Sequence, residues 1–85
     1  MNKLWVYYQS DTCGIQGFTI HKTKAGALKL AFLDAKEYSE RMINFYKSEN
    51  GRSLRNYSDY SIIEIENGYK VAETIYDVDE MEILE

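Results

Sequence analysis

The stretch YSIIEIENGYKVAETIY, residues 60–76, carries the strongest local folding signal in this chain. Two runs rich in isoleucine, valine and tyrosine flank Asn67-Gly68, the dipeptide that most strongly favours a type I′ hairpin turn. The pattern therefore predicts two antiparallel strands, 60–66 and 69–76, joined by a two-residue turn.

This hairpin is expected to be apolar on both faces, and its register would set Glu64 opposite Val71 and Glu73 opposite Ile62. A two-layer domain covers only one face of its sheet. The other face is then either covered by C-terminal residues or used as a surface for a partner. One predicted face carries Tyr60, Ile62, Tyr69, Val71 and Ile75, the other carries Ile63, Ile65, Ala72 and Tyr76, and the covering residues would be Met81, Ile83 and Leu84.

Two further strands are predicted before the hairpin. Residues 3–8 alternate Trp5 and Tyr7 against apolar residues on the opposite face, and a strand that is apolar on both faces is typical of the middle of a sheet. A turn-rich loop over 10–14 leads into a second strand, 15–21. Met81 and its C-terminal neighbours are expected to form a short edge strand or to fray.

One long helix is predicted between these strands and the hairpin. Thr23 suits the N-cap, the helix should run from Lys24 to Lys47, and Asn50-Gly51 is a natural stop. Leu30 and Leu33 would lie opposite its core-facing side. The core-facing stripe comprises Leu28, Ala31, Ala35, Tyr38, Met42 and Phe45, widened by Phe32, Ile43 and Tyr46.

These segments predict an α+β fold with the order ββαββ, in which the long helix packs on one face of an antiparallel sheet. The 85 residues contain no proline and five glycines, so no linker divides them and residues 1–85 form a single domain. The single cysteine, Cys13, and an apolar N-terminal run too short for a signal peptide or a membrane span predict a cytoplasmic protein.

Charge is divided unevenly along the chain. Residues 1–55 carry nine Lys or Arg against five Asp or Glu, whereas residues 56–85 carry one lysine against nine acids. The acidic C-terminal part is therefore either a solvated surface or a surface that faces a positively charged partner.

The sequence contains no motif for catalysis, a metal or a cofactor. Cys13 and His21 are the only pair suited to nucleophilic catalysis, and a regular strand would separate them by roughly 25 Å. One histidine is too few for most zinc sites, and the C-terminal acids lack the spacing of a calcium loop. We therefore expect no enzyme activity and no cofactor.

A nucleic-acid or nucleotide-binding module is the alternative. Lys29 and Lys36 project from the same side of the predicted helix, and Arg52, Arg55 and Tyr57 follow in a connector that mixes cations with a stackable ring. The sequence pI near 5.0 opposes this hypothesis, because nucleic-acid-binding domains usually carry a strongly basic surface.

Four segments follow one another along the chain: Lys3-Leu4-Trp5-Val6-Tyr7-Tyr8, Gly17-Phe18-Thr19-Ile20, Thr23-Lys24-Ala25 and Tyr57-Ser58-Asp59-Tyr60-Ser61-Ile62-Ile63-Glu64. Their order resembles that of small phage-encoded proteins of the anti-CRISPR or anti-defence inhibitor type. The resemblance implies a stoichiometric inhibitor that works in the cytoplasm of a bacterial host by occupying a functional surface of a host protein. Such inhibitors sometimes present carboxylates where a nucleic-acid phosphate would lie.

The leading hypothesis is a non-enzymatic binding protein whose acidic C-terminal hairpin occupies a basic, nucleic-acid-handling surface of a host protein. Self-association into a homodimer is compatible with this hypothesis and with the alternative. The residues assigned to the partner contact are the acids Glu64, Glu66, Glu73, Asp77, Asp79 and Glu80, and the apolar or aromatic residues Ile63, Ile65, Tyr76, Leu30 and Leu33.

Overall fold

The computed structural model describes residues 3–48 and 57–82, which form an antiparallel five-stranded sheet with one long helix packed against it. The predicted α+β class is confirmed. The order of strands across the sheet is β2-β1-β5-β4-β3. The elements are β1 (Lys3–Asp11), β2 (Gly14–His21), α1 (Lys24–Ser48), a short 3-10 helix (Tyr57–Tyr60), β3 (Ile62–Ile65), β4 (Gly68–Val71) and β5 (Thr74–Glu82).

The central position predicted for β1 is confirmed. This strand pairs with β2 on one side and with β5 on the other. Tyr7 faces α1 and is only 3% exposed, whereas Val6 and Tyr8 lie on the opposite side of the sheet and are half-buried. A central strand has neighbouring strands on both sides, and their side chains partly shield its residues on each face of the sheet.

The hairpin turn lies one residue earlier than predicted. Ile65 pairs with Gly68, so the two turn residues are Glu66-Asn67 and not Asn67-Gly68. A Cβ atom added to Gly68 would clash with the carbonyl oxygen of Tyr76 in β5. The glycine therefore allows close approach of a neighbouring strand rather than a left-handed turn conformation.

The register of the hairpin changes with its turn. Glu64 lies opposite Tyr69, and Ile62 lies opposite Val71, so both predicted pairings, of Glu64 with Val71 and of Glu73 with Ile62, are wrong. Because side chains alternate between the faces of a strand, the pairing decides which residues share a face.

A second turn divides the predicted second strand of the hairpin into β4 and β5. Val71 pairs with Thr74 across Ala72-Glu73, and Ala72 has a φ of 53°, in the left-handed region. The turn moves Tyr76 to the side of α1 and Ile75 to the other side, the reverse of the prediction. Nothing in the composition of this segment reveals the turn, since alanine is an uncommon choice for a left-handed residue.

The C-terminal segment is a central strand and not the predicted edge strand. β5 continues to Glu82 and pairs with β1 over the pairs from Lys3–Glu82 to Ser10–Ile75. The predicted cover by Ile83 and Leu84, and the predicted helix stop at Asn50-Gly51, lie outside the described residues.

α1 begins where the sequence predicts. The Thr23 hydroxyl oxygen accepts a hydrogen bond of 3.0 Å from the amide of Gly26, and the Thr23 carbonyl accepts one of 3.2 Å from the amide of Ala27. This is the bonding expected of an N-cap residue, which satisfies amide groups that the first turn leaves without partners.

The core-facing stripe of α1 differs from the predicted one. The buried line runs through residues spaced by four, Ala27, Ala31, Ala35 and Ser39, and such a line drifts about 40° around the helix at each step. Leu30 therefore packs against the core near the start of the helix, and the expectation that it lies opposite the stripe is wrong. Phe45, expected in the stripe, is 53% exposed.

The core lies between α1 and the sheet. The small alanine side chains bring the helix close to Val71, Val78 and the rings of Tyr7 and Tyr76, all of which are buried. Ser39, a buried polar residue of the helix, donates its hydroxyl hydrogen to the carbonyl oxygen of Tyr60. The large side chains of the sheet that are fully buried thus lie on the side that faces α1.

Candidate binding face

The side of the sheet opposite α1 has no covering layer among the described residues 3–48 and 57–82. We call this side the open face. Its side chains follow from the strand register and the alternation of the strands. The open face comprises Leu4, Val6, Tyr8 and Ser10 of β1, Ile15, Phe18 and Ile20 of β2, Ile63 and Ile65 of β3, Gly68 and Lys70 of β4, and Ile75, Asp77, Asp79 and Met81 of β5.

Large apolar side chains on the open face are exposed to an unusual degree. Ile15, Phe18 and Ile20 of β2 are 67%, 66% and 50% exposed, and Ile63 on the far edge is 55% exposed. Single exposed apolar residues are normal, but a contiguous apolar patch on a monomer marks an interaction surface.

Two carboxylates lie in the middle strand of this apolar face. Asp77 and Asp79 are two residues apart on β5, and the hydroxyl of Tyr8 lies 3.0 Å from an Oδ2 atom of each. A phenol has one proton and can donate it fully to only one carboxylate at a time. The Oδ1 atom of Asp77 also accepts a 3.0 Å hydrogen bond from the amide of Val78. The free acceptor capacity of the pair therefore lies mainly on the exposed Asp79 and on the remaining lone pairs of Asp77.

The surroundings of Tyr8 keep its hydroxyl protonated. Burial, then the hydrogen bonds and negative charges of Asp79 and Asp77, raise the pKa of Tyr8 well above its usual value of 10.0. The phenol is therefore a permanent hydrogen-bond donor at neutral pH, and it draws the two carboxylates toward one point.

One cation shares the open face with this acidic pair. Lys70 is exposed on β4 and lies opposite Ile75. With Asp77 and Asp79 the face carries two negative charges and one positive charge. The position opposite Asp77 is Gly68, which has no side chain, and Asp79 is exposed.

The other acids predicted at the partner contact do not lie on the open face. Glu80 points to the side of α1 and forms a 2.9 Å ion pair with Lys3. Glu64 also points to that side, from the edge strand β3. Glu66 and Glu73 are exposed in the two turns at opposite ends of β4. The six predicted acids therefore do not form one surface.

The predicted apolar contact residues are likewise divided. Ile63 and Ile65 lie on the open face, and Leu33 is 50% exposed on α1. Tyr76 is only 3% exposed and lies beneath α1, so its predicted position beside Ile63 and Ile65 is wrong. Leu30 packs against the core.

The β2 residues of the open face were not assigned a function in the sequence. Ile15, Phe18 and Ile20 show the alternation of a strand with one apolar face, but this signal alone does not say whether a helix covers that face. The side on which α1 packs was needed to identify these residues as exposed.

The residues of the nucleic-acid alternative are only partly described. Lys29 and Lys36 are exposed on α1, as predicted, and Tyr57 begins the 3-10 helix. Arg52 and Arg55 lie outside the described residues. The structure therefore does not show these five residues assembled into one surface.

The two residues considered for catalysis lie at opposite ends of β2. Cys13 is exposed in the turn before β2, whereas His21 ends that strand and its Nε2 atom is 2.7 Å from the hydroxyl of Thr19. No three His, Cys, Asp or Glu side chains within residues 3–48 and 57–82 converge on a point where a metal ion would bind.

A second group of polar residues lines a cleft on the side of α1. The hydroxyl of Tyr7 donates a 2.8 Å hydrogen bond to Asp34, and the Gln9 amide donates to both. Burial raises the pKa of the neighbouring Tyr76 to about 12. The cleft of about 160 Å³ is smaller than the roughly 300–1,000 Å³ of typical ligand pockets, and Gln9 and Asp34 in its lining are hydrogen-bonded to each other. We interpret this cluster as a set of structural hydrogen bonds that hold α1 on the sheet.

Comparison with family models, with curated proteins and with solved structures finds no match for this chain. Within the described part of the chain, no helix combines the length and the apolar character needed to cross a membrane. The geometry of the open face is thus the main guide to function.

Proposed function

We propose that this protein is a non-catalytic binding protein that attaches through its open face to a basic surface of a partner protein. The observation that carries the proposal is the pair Asp77 and Asp79, joined by the Tyr8 hydroxyl, in the middle of an exposed apolar face. An apolar surrounding with a few polar anchors is the usual composition of a protein interface.

The apolar residues supply the contact area. With about 3.3 Å per residue along each strand and about 4.8 Å between strands, the open face measures on the order of 500 Å². Stable protein interfaces bury about 800 Å² on each partner. The open face therefore provides more than half of one side of such an interface, and the exposed turn at Glu66 extends it.

The acidic pair selects the partner. A carboxylate that is buried without a cation is strongly destabilising, so a purely apolar or an acidic partner would be rejected. An arginine or lysine inserted between Asp77 and Asp79 would instead form charge-assisted hydrogen bonds with both. Arginine suits the site well because its planar guanidinium presents several donors in a fixed arrangement.

The narrower form of the proposal is an anti-defence inhibitor of the anti-CRISPR type, made by a phage and acting in the cytoplasm of a bacterial host. Nine acids against one lysine over residues 56–85 support a partner that handles nucleic acid, because such proteins present basic surfaces. Carboxylates on the open face would then occupy positions that phosphates otherwise take.

The test is affinity capture from bacterial lysate with three forms of the protein, each with and without nuclease. The forms are the native chain, the double variant Asp77→Asn/Asp79→Asn, and the control Glu64→Gln/Glu73→Gln. Both variants lose two negative charges, but only the first loses them from the open face.

The proposal predicts a protein that survives nuclease, binds the native chain and the control alike, and is lost from the open-face variant. Equal recovery by both variants would contradict the role of the acidic pair. Recovery of nucleic acid, or of proteins that disappear after nuclease, would contradict the proposal and favour the alternative site at Lys29 and Lys36, whose affinity should fall steeply with salt.

A further inference from the structure

β2 forms one edge of the sheet, and its outer side is free to pair. The strand has eight residues, from Gly14 to His21, and all but His21 are exposed. Only β1 pairs with it among the described strands. An edge strand of this length presents a row of unpaired backbone N–H and C=O groups, which is a template for another strand.

β2 also lacks most of the features that protect edge strands from pairing. Residues 14–20 contain no charged residue and no proline, although lysine, proline and short length are the usual protections. The other edge strand, β3, has only four residues and carries the exposed Glu64. The two edges are therefore of different kinds, and β2 is the one suited to association.

A single irregularity limits the part of β2 that can pair regularly. Gln9 pairs with Gly17 and Ser10 pairs with Ile15, so Gln16 is an extra residue that forms a β-bulge. From Gly17 to His21 the strand is regular. Pairing with a new strand should be confined to these five residues, because a bulge interrupts the ladder.

We propose that β2 pairs with β2 of a second copy of this chain, in antiparallel orientation about a two-fold axis at Thr19. This register places Thr19 opposite Thr19 of the second copy. It also places Phe18 of each copy opposite Ile20 of the other, and Gly17 opposite His21.

The register is self-complementary in three respects. Each paired residue lies on the same face of the sheet as the residue opposite it in the second copy, as antiparallel pairing requires. Phe18 and Ile20 form two aromatic–β-branched pairs, and the two threonines form a third favourable pair. Antiparallel pairing also brings the basic end of each β2, at Lys22 and Lys24, toward the acidic end of the other, at Asp11.

The pairing joins two sheets into one of ten strands. A two-fold axis perpendicular to the sheet keeps both α1 helices on one side and both open faces on the other. This dimer is independent of the proposed partner, since the contact is made by the strand edge and leaves Asp77 and Asp79 accessible. The interface is smaller than the standard size, so dimerisation should depend on concentration.

The test uses opposite charges at the two-fold axis. Thr19→Lys and Thr19→Glu each place like charges directly opposite in the dimer, which is destabilising. Sedimentation equilibrium from about 1 µM to about 1 mM, the range expected for a small interface, should show the native chain passing from 10.0 kDa to twice that mass. The dissociation constant of the dimer formed by each variant alone should be at least about fivefold higher than that of the native dimer.

An equimolar mixture of the two variants should recover the native association, because lysine then faces glutamate. This mixture also controls for folding, since both variants lose the hydrogen bond between Thr19 and His21. Asn44→Lys adds the same charge at an exposed position of α1, about 30 Å along the helix from the end next to β2, and should behave as the native chain does.

The proposal is overturned if the native chain stays at the mass of one copy throughout. It is also overturned if a dimer forms that neither Thr19 variant weakens, because the contact would then lie elsewhere. If the open-face variant loses the partner while the native chain stays at the mass of one copy, the dimer is contradicted and the proposed function is supported.

Discussion

Both faces of the sheet carry large apolar side chains, but those facing α1 are buried and many on the open face are exposed. Facing α1, Val71 and Val78 are 0% and 1% exposed, whereas Phe18 and Ile63 on the open face are 66% and 55% exposed. The difference does not come from hydrophobicity, since the open face carries five isoleucines while the covered face carries two valines and three tyrosines. It comes from the single helix, which can cover only one face.

The positions of the acids repeat this contrast. On the side of α1, Asp34 is held by the hydroxyl of Tyr7 and the amide of Gln9, and the three groups satisfy one another. On the open face, Asp77 and Asp79 share one phenolic proton. Asp77 also accepts a hydrogen bond from the Val78 amide, so the exposed Asp79 retains the larger free acceptor capacity. A polar group that completes a fold is thus distinguished from one left available to a partner.

The largest effect is expected at the backbone contact that holds β4 to β5. Gly68→Ala should lower the free energy of unfolding by at least about 3 kcal/mol, because the new Cβ would clash with the carbonyl oxygen of Tyr76. Urea unfolding measures the change. The matched control is Gly17→Ala, where the added Cβ meets nothing within 4 Å and the cost should stay within about 0.5 kcal/mol. Equal costs at the two glycines would contradict the close approach.

The next effect compares one aliphatic residue from each face. Val71→Ala should cost about 2 kcal/mol, because it removes two fully buried methyl groups and leaves a cavity. Ile63→Ala removes more carbon atoms but should cost no more than about 0.5 kcal/mol, because that side chain is already exposed. Thermal or urea unfolding would test the pair. A larger loss at Ile63 would show that the open face is covered in the isolated protein.

A smaller effect compares the two tyrosines that are neighbours in β1. Tyr7→Phe should cost about 1–1.5 kcal/mol, because Asp34 loses a hydrogen-bond donor in a partly buried position. Tyr8→Phe should cost less than about 0.5 kcal/mol in unfolding, because Asp79 is exposed and water can replace the phenol. The order of the two costs, measured by urea unfolding, is the test, and the reverse order would contradict the assignment of roles.

The last prediction concerns alkaline pH, where Tyr7, Tyr8 and Tyr76 all contribute because the pKa of each is raised in the folded protein. Burial raises the pKa of Tyr76 from 10.0 to about 12 in the folded protein, so the folded state favours the protonated phenol. The resulting stability is fully present below pH 10 and is lost as pH rises from 10 toward 12. Urea unfolding at pH 8, 10 and 11 should show a flat region followed by a decline. Stability that rises over this range would contradict the burial of the phenol.

Local patterns in the sequence were sufficient for most of the fold. The Thr23 cap, the long helix, the two N-terminal strands and the central place of β1 follow from short-range signals, and the structure has them as predicted. The turn at Ala72-Glu73 was missed because neither residue is a usual turn former. The pairing of β5 with β1 was missed because partners about 70 residues apart leave no local signal.

The candidate site could be predicted only in part. Ile63, Ile65, Asp77 and Asp79 were singled out in the sequence, but the grouping of Asp77 and Asp79 with Tyr8 depends on the long-range pairing of β5 with β1. The error at Tyr76 has the same origin as the missed turn, because one turn reverses the faces of every later residue in a strand. An error of one residue in the predicted register therefore assigned the buried Tyr76 to the surface.

The central claim, that the open face binds the partner, is tested most directly by NMR of isoleucine methyl groups in the complex with the captured protein. Ile15, Ile20 and Ile75 lie on the open face, whereas Ile43 of α1 and Ile62 of β3 pack against the core. The account predicts that the first three signals shift or broaden on binding while the last two stay in place. Unchanged signals from the open face, with shifts confined to Ile43 and Ile62, would contradict it.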